Sequence, residues 1–136
     1  MAKIKKVDYF YTQLADRPGT GAKALKALRK HKVGLLAITA FPNGGTTQMD
    51  FVPDDSRRFL AAAKALGWNV SAKKSGFLVQ GKDKTGALVG VMNKLGKSGV
   101  NVTAITAVTG GKRRFGAIFW VKATNLAKAA RVLGAR

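Results

Sequence analysis

Apolar and polar positions along the chain follow two periods, and the switches between them mark out elements. Val7 to Leu14 is rich in aromatic and β-branched residues and reads as a strand. Asp16-Arg17-Pro18-Gly19 is a turn opening a helix, with Pro18 near the first helical position. In that helix Ala22, Leu25 and Leu28 share one face, while Lys23, Lys26, Arg29 and Lys30 lie largely off it. Lys32-Val33-Gly34 ends the helix, and Leu35 to Phe41 reads as the next strand. Asn43-Gly44-Gly45 is a hairpin turn, because positions needing φ > 0 favour Asn and Gly. Thr46 to Val52 is the returning strand. Asp54-Asp55-Ser56 caps a second helix carrying Phe59, Ala63 and Leu66, and Trp68 to Lys73 is expected to be a fourth strand.

The order then repeats. Displacing the chain by 67 residues carries Phe10 onto Phe77, Asp16 onto Asp83, Leu28 onto Leu95 and Val33 onto Val100 without a gap. The same displacement carries Ala37-Ile38-Thr39-Ala40 onto Ala104-Ile105-Thr106-Ala107, and Leu66-Gly67 onto Leu133-Gly134. The second copy reads as a strand over Phe77 to Gly81 and a helix lined by Leu88, Met92 and Leu95. A strand over Val100 to Val108, a hairpin at Gly110-Gly111 and a strand over Phe115 to Val121 follow. A last helix is lined by Leu126, Ala130 and Leu133. No fourth strand follows it, and an extended first strand, with Ala2 to Lys6, is expected to supply the missing edge.

Strand–helix–strand–strand–helix–strand is the order of a ferredoxin-like antiparallel sheet with both helices on one face. The expected fold class is therefore α+β, with two tandem βαββαβ units at residues 1–74 and 75–136. A unit of this size buries little surface alone. The two are therefore expected to associate as a pseudo-dimer.

Composition narrows the function. Of 136 residues 46% are hydrophobic, which supports a packed core. Apolar runs such as Gly34 to Ala40 are far too short to span a bilayer. The basic start Met1 to Lys6 lacks a following apolar stretch of the kind a signal peptide has. Cysteine is absent, which removes disulfides and thiolate metal sites. A cytoplasmic protein with no membrane partner is the expectation. The balance of 25 Lys+Arg against 6 acids, all Asp, gives a net charge of +19. Such a surface attracts nucleic acid and other polyanions nonspecifically.

Three features, each occurring in both copies, make the chain resemble a tandem ACT-domain protein over nearly its whole length. They are the strand exit Asp16-Arg17-Pro18-Gly19 with its counterpart Asp83-Lys84-Thr85-Gly86, the helix-ending Gly99-Val100-Asn101-Val102, and the Ile-Thr strand that follows. The resemblance implies a regulatory sensor of a small molecule, usually an amino acid, that pairs into a homodimer and binds ligand between two domains. Carried over residue by residue, the ligand-binding candidates are Asp16, Arg17, Pro18, Gly19, Thr20 and Gly21 in the first copy. In the second they are Asp83, Lys84, Thr85, Gly86, Ala87 and Leu88, with Asn101 facing the ligand from a partner domain. A helix N-terminus suits a carboxylate, and an Asp with an Asn carbonyl suits an ammonium. The first copy departs from the pattern, because the position of Asn101 there is Gly34.

Catalysis finds no support. His31 is the only histidine, there is no Glu, and no second His or Cys completes a triad or metal cluster. The sequence predicts no enzyme, no cofactor and no metal. Lys112-Arg113-Arg114 is a candidate anion contact at a hairpin tip. The strand after it, Phe115-Gly116-Ala117-Ile118-Phe119-Trp120, partly matches the third strand of an RNA-recognition motif. Arg114 stands where that motif has Gly, and Ala117 where it has a stacking aromatic. Phe119 and Trp120 alternate faces, so one of them is expected to be exposed. Besides the sensor, two alternatives stay open: a basic nucleic-acid or anion-binding module on the same scaffold, and a protein-pairing module without a ligand.

Overall fold

The computed structural model describes residues 2–136. Its elements are β1 (Lys3–Ala15), α1 (Thr20–Lys30), β2 (Leu35–Asn43), β3 (Thr46–Pro53), α2 (Ser56–Ala65), β4 (Lys74–Lys82), α3 (Val89–Lys97), β5 (Val102–Gly111), β6 (Arg114–Val121) and α4 (Leu126–Leu133). Two compact units are built from them. One is Asp8–Lys74; the other joins the stretch ending at Val7 to Ser75–Arg136.

In the Asp8–Lys74 unit the strand order is β2-β3-β1, all antiparallel. Phe10 pairs directly with Phe51, so both project from the same face. That face holds the core: Phe10, Met49 and Phe51 from the sheet, Ala24 and Leu28 from α1, Phe59, Ala62 and Ala63 from α2. The Phe59 ring stacks on Phe10 at 5.1 Å between centroids, 20° off parallel. The α1 stripe differs from the one expected. Leu28 is buried with Ala24, one turn before it, and Leu25 faces out. Asp55 caps α2, its carboxylate accepting from the Arg58 N–H at 3.1 Å. The turn is Gly44-Gly45, both left-handed at φ 60° and 86°.

The stretch Trp68 to Lys73 is not a strand. It runs beside β1 and is tied to it by hydrogen bonds. The Ser71 N–H donates to the Tyr11 carbonyl (2.9 Å), the Tyr11 N–H to Ser71 Oγ (3.1 Å), and Thr12 Oγ1 to the Asn69 carbonyl (2.8 Å). A Ser hydroxyl that takes a ladder N–H replaces a backbone acceptor, which breaks the regular pattern.

In the other unit the order is β1-β4-β6-β5. The N-terminal half of β1 lies beside β4, and the Lys6 N–H donates to the Arg136 carbonyl at 2.9 Å. Phe77 pairs with Phe119, and their rings stack at 5.1 Å, 21° off parallel. Val79, Phe115, Ala117 and Val121 from the sheet join Val91 and Leu95 from α3 and Ala129 from α4 in the core. Here too the α3 stripe is Val91 with Leu95, and Met92, expected inside, is exposed. Phe119 and Trp120 are both buried, at 0% and 7% exposure, so neither aromatic is left open on β6. Phe119 is in the core. Trp120 points to the opposite face and lies over Gly76, where a Cβ would come within 3.2 Å of its indole nitrogen.

Both β2 and β5 carry a bulge near their start, at Leu36 and Thr103. β5 carries another at Gly110. The second hairpin turn is therefore Lys112-Arg113 and not Gly110-Gly111. Both residues are left-handed, at φ 54° and 58°. A two-residue turn of this hand matches strand twist, but a residue with a Cβ costs about 1–2 kcal/mol there. Replacing the pair by Lys112→Asn with Arg113→Gly is expected to raise the unfolding free energy by about 1–2 kcal/mol, read from urea denaturation with an unchanged slope.

Candidate functional site

The two strand-to-helix loops singled out in the sequence meet different surroundings. Asp83 to Leu88 leaves β4 and enters α3. It is pinned at its start by the Asp83 N–H donating to the Arg113 carbonyl (2.8 Å). It then winds through two tight turns, the Ala87 N–H bonding Lys84 and the Val89 N–H bonding Gly86, both at 3.0 Å. Gly86 is left-handed at φ 72°, and a Cβ there would press on the Val89 side chain at 3.3 Å.

Between this loop and the far end of β5 lies a cavity of about 320 Å³. Asp83, Gly86, Ala87 and Leu88 line one side, Ala107, Val108 and Thr109 the other, and the largely buried Phe115 borders it. Asp83 is the sole acid of its unit. Its carboxylate takes no hydrogen bond or ion pair among the described residues. The first turn of α3 has no side-chain cap and no acid. The cavity thus brings one free carboxylate to a wall that is otherwise apolar except for Thr109.

Other expected residues are not brought together. Lys84 borders a different, larger cavity, and Thr85 borders neither. Asn101 is exposed, just ahead of β5, and Ala107 lies six positions further along the chain. At the rise of an extended strand that is about 20 Å. In the first copy, Asp16 to Gly21 borders neither cavity. Asp16 instead accepts a hydrogen bond from Thr47 Oγ1 at 3.1 Å. Gly19 is the left-handed N-cap of α1, at φ 89°, and Pro18 precedes it outside the helix. Gly34 has a local reason to lack a side chain: a Cβ there would collide with the Asp54 carboxylate. Lys112, Arg113 and Arg114 stand exposed at the β5–β6 hairpin. No helix is long and apolar enough to cross a membrane, and no group of three metal-ligating side chains occurs among the described residues.

A polar network not anticipated from the sequence lies on the helix-free face of the β2-β3-β1 sheet. Gln48 Nε2 donates to Asp50 Oδ1 (2.9 Å), and Gln48 Oε1 accepts from Gln13 (3.1 Å) and Asn43 (3.0 Å). Thr46 Oγ1 closes it onto Gln13 Oε1 at 2.8 Å. Burial pushes the Asp50 carboxyl above its ordinary value, and the Gln48 hydrogen bond only partly offsets this. Tyr9 is also pushed up, first by burial and then by the Asp50 charge. The alternation of Gln48, Asp50 and Val52 was visible in the sequence, but it reads equally as an exposed strand face.

No family model and no curated protein matches the chain. Solved structures do. A protein of Bacteroides thetaiotaomicron superposes with a TM-score of 0.78 at 17% identity, over 98% of this chain and 88% of that one. The ligand-free regulatory subunit of aspartate kinase from Thermus thermophilus gives 0.65 at 17% identity, over 98% and 94%. A C-terminal regulatory domain assigned to aspartate kinase of Porphyromonas gingivalis gives 0.56 at 14% identity, over 98% and 94%. The fold is α+β and ACT-like, the fold of these regulatory domains.

The Asp50 site generates a pH prediction. A carboxyl whose folded pKa is raised binds more protons in the native state than in the unfolded one. Stability therefore falls as pH rises from the ordinary value of 3.8 through the raised one. Asp50→Asn keeps an acceptor for Gln48 and cannot ionise. The variant should exceed the wild type in stability at neutral pH and lose that advantage near pH 3, as measured by urea melts across the range.

Proposed function

We propose that this chain is a ligand-sensing regulatory module of ACT type, acts without catalysis, and binds an amino acid in the cavity between Asp83–Leu88 and β5. The observation that carries the reading is the meeting of the Asp83-to-Leu88 loop with Ala107–Thr109 around one cavity. Asp83 is the acceptor for the ligand ammonium, and the positive end of the α3 dipole, which carries no acid in its first turn, favours the ligand carboxylate on that side. The fold's likeness to aspartate kinase regulatory subunits supports the same reading. Lys84 and Thr85 belong to the loop without lining this cavity, and Asn101 contributes only across a pairing of domains.

The tandem organisation belongs to the proposal. Residues 1–74 and 75–136 are two ACT-type copies, with the first strand completing the second copy. Asp16, Arg17, Pro18, Gly19, Thr20 and Gly21 form the equivalent loop of the first copy, a weaker site because Asp16 is engaged by Thr47 and Gly34 has no side chain. A homodimer is the proposed assembly. β2 and β5 carry no charged residue along 9 and 10 positions, in a chain with 25 Lys+Arg. Uncharged edges of that length are otherwise open to pairing. Ile105 and the 69% exposed Val108 on β5 favour a covered edge. The absence of cysteine accords with a cytoplasmic setting.

Thermal unfolding of the full chain against each amino acid, at low and high salt, tests the reading. A ligand confined to the folded state stabilises by about 2.7 kcal/mol at a hundredfold excess over Kd, a rise of several degrees. The rise should appear with one or a few amino acids, survive high salt, and shrink at least about tenfold in apparent affinity in Asp83→Asn. No shift with any amino acid, together with an RNA-induced shift that salt abolishes, would replace this reading with a polyanion-binding one.

A further inference from the structure

A second and larger cavity, about 560 Å³, shares Gly86, Ala87 and Phe115 with the first and is otherwise separately lined. Lys3, Lys82, Lys84 and Lys94 stand around it, drawn from β1, β4, the loop and α3. No acid lines it. The one acid of this unit, Asp83, borders the smaller cavity although Lys82 and Lys84 flank it in sequence. Ile4, Ala87, Val91, Phe115 and Leu133 give the larger cavity an apolar floor.

Four lysines lining one concavity give it positive charge, and low-dielectric walls focus that field into it. An amino acid would find no carboxylate there for its ammonium. A monocarboxylate would supply a single charge. A phosphate monoester carries a charge of about −1.5 to −2 near pH 7, with three strong acceptor oxygens, and so engages several lysines at once. The volume lies inside the range of about 300–1,000 Å³ seen for small-molecule sites, which leaves room for an organic part above the apolar floor. We propose that this cavity binds a small organic phosphate, its phosphate among the four lysines and its organic part over Ile4, Val91 and Phe115. The site is distinct from the amino-acid cavity and does not rest on that reading. Gly86, Ala87 and Phe115 are common to both walls, so occupancy of one alters the shape available to the other.

Gly90 provides a test that changes no charge. It lines the cavity from α3, and a Cβ there meets nothing within 4 Å. Gly90→Leu therefore fills the space, and leucine is the better helix former. Binding of AMP, glucose 6-phosphate and inorganic phosphate to the full chain would be measured calorimetrically at about 150 mM salt. One of the two organic phosphates should bind at one equivalent, at least about tenfold tighter than inorganic phosphate, and which one identifies the organic part. Gly90→Leu and the pair Lys82→Gln with Lys94→Gln should each weaken it by about tenfold or more. The pair Lys23→Gln with Lys26→Gln, on α1 of the other unit, makes the same charge change and should stay within about twofold. Asp83→Asn should leave this binding in place, which separates the result from that for the amino-acid cavity. Unchanged binding in Gly90→Leu, an equal loss in both lysine pairs, preference for inorganic phosphate, or no binding by any probe would each overturn the assignment.

Discussion

A directly paired phenylalanine couple fixes the register of the central strands in each unit, Phe10 with Phe51 and Phe77 with Phe119. Side chains on a strand alternate faces, so a slip of one residue would turn the whole core set outward. With the couples in place, Met49 and Phe51, or Ala117 and Phe119, face the helices. The four rings are buried, and truncating a phenylalanine in such a position typically costs about 3–5 kcal/mol. Everything that positions the candidate site follows from this. The exit of β4 is set by its pairing with β6, and the reach of β5 past the loop is set by its own pairing with β6.

The same constraint explains a departure from strict repetition. From the first strand to the end of the first helix the two halves of the sequence correspond at 67 residues, as Phe10 does to Phe77 and Val33 to Val100. The third strands correspond at 68, because Phe51 is matched in register by Phe119 and not by Ile118. The additional residue is taken up by the Gly110 bulge and by the displaced turn at Lys112-Arg113. The count returns to 67 by the ends of the second helices, where Gly67 and Gly134 are both left-handed. There α4 is preceded by a 3-10 turn, Ala123–Asn125, while α2 has the Asp55 cap instead. The wall opposite Asp83, Ala107–Thr109, lies just ahead of the Gly110 bulge.

The units also diverge in chemistry. The helix-free face carries Tyr9, Tyr11, Gln13, Gln48 and Asp50 in one, against Gly76, Leu78, Gln80, Gly116 and Ile118 at the matching positions of the other. The unit containing β4 has Asp83 as its sole acid, and four of its lysines line a cavity. In the other unit, acids are spent on local structure: Asp55 on a helix cap, Asp16 on Thr47, and Asp8 on the Ser56 hydroxyl at 2.7 Å. Equivalent loops therefore meet different surroundings. A charged group already engaged by a neighbour is a poorer ligand acceptor than one left open.

The sequence by itself determined the element order, the α+β class, the residue correspondence between its two halves and the two glycine-bearing loops. These depend on local periodicity and turn chemistry, which each short segment carries within itself. It did not determine which helix face turns inward. Leu25 and Met92 lie close in angle to the buried stripe, and only the packing of α1 and α3 on the sheet selects Ala24 and Val91 instead. Nor did it determine the second turn, because two glycines signal a bend wherever they stand and the phenylalanine register moves it two residues on. The site was half legible. Asp83, Gly86, Ala87 and Leu88 are contiguous, so a motif exposes them. Ala107–Thr109, Phe115, Lys3 and Lys94 reach the two cavities only because β1, β4, β5, β6 and α3 converge. Long-range strand pairing creates that convergence, and no local pattern in the chain encodes it.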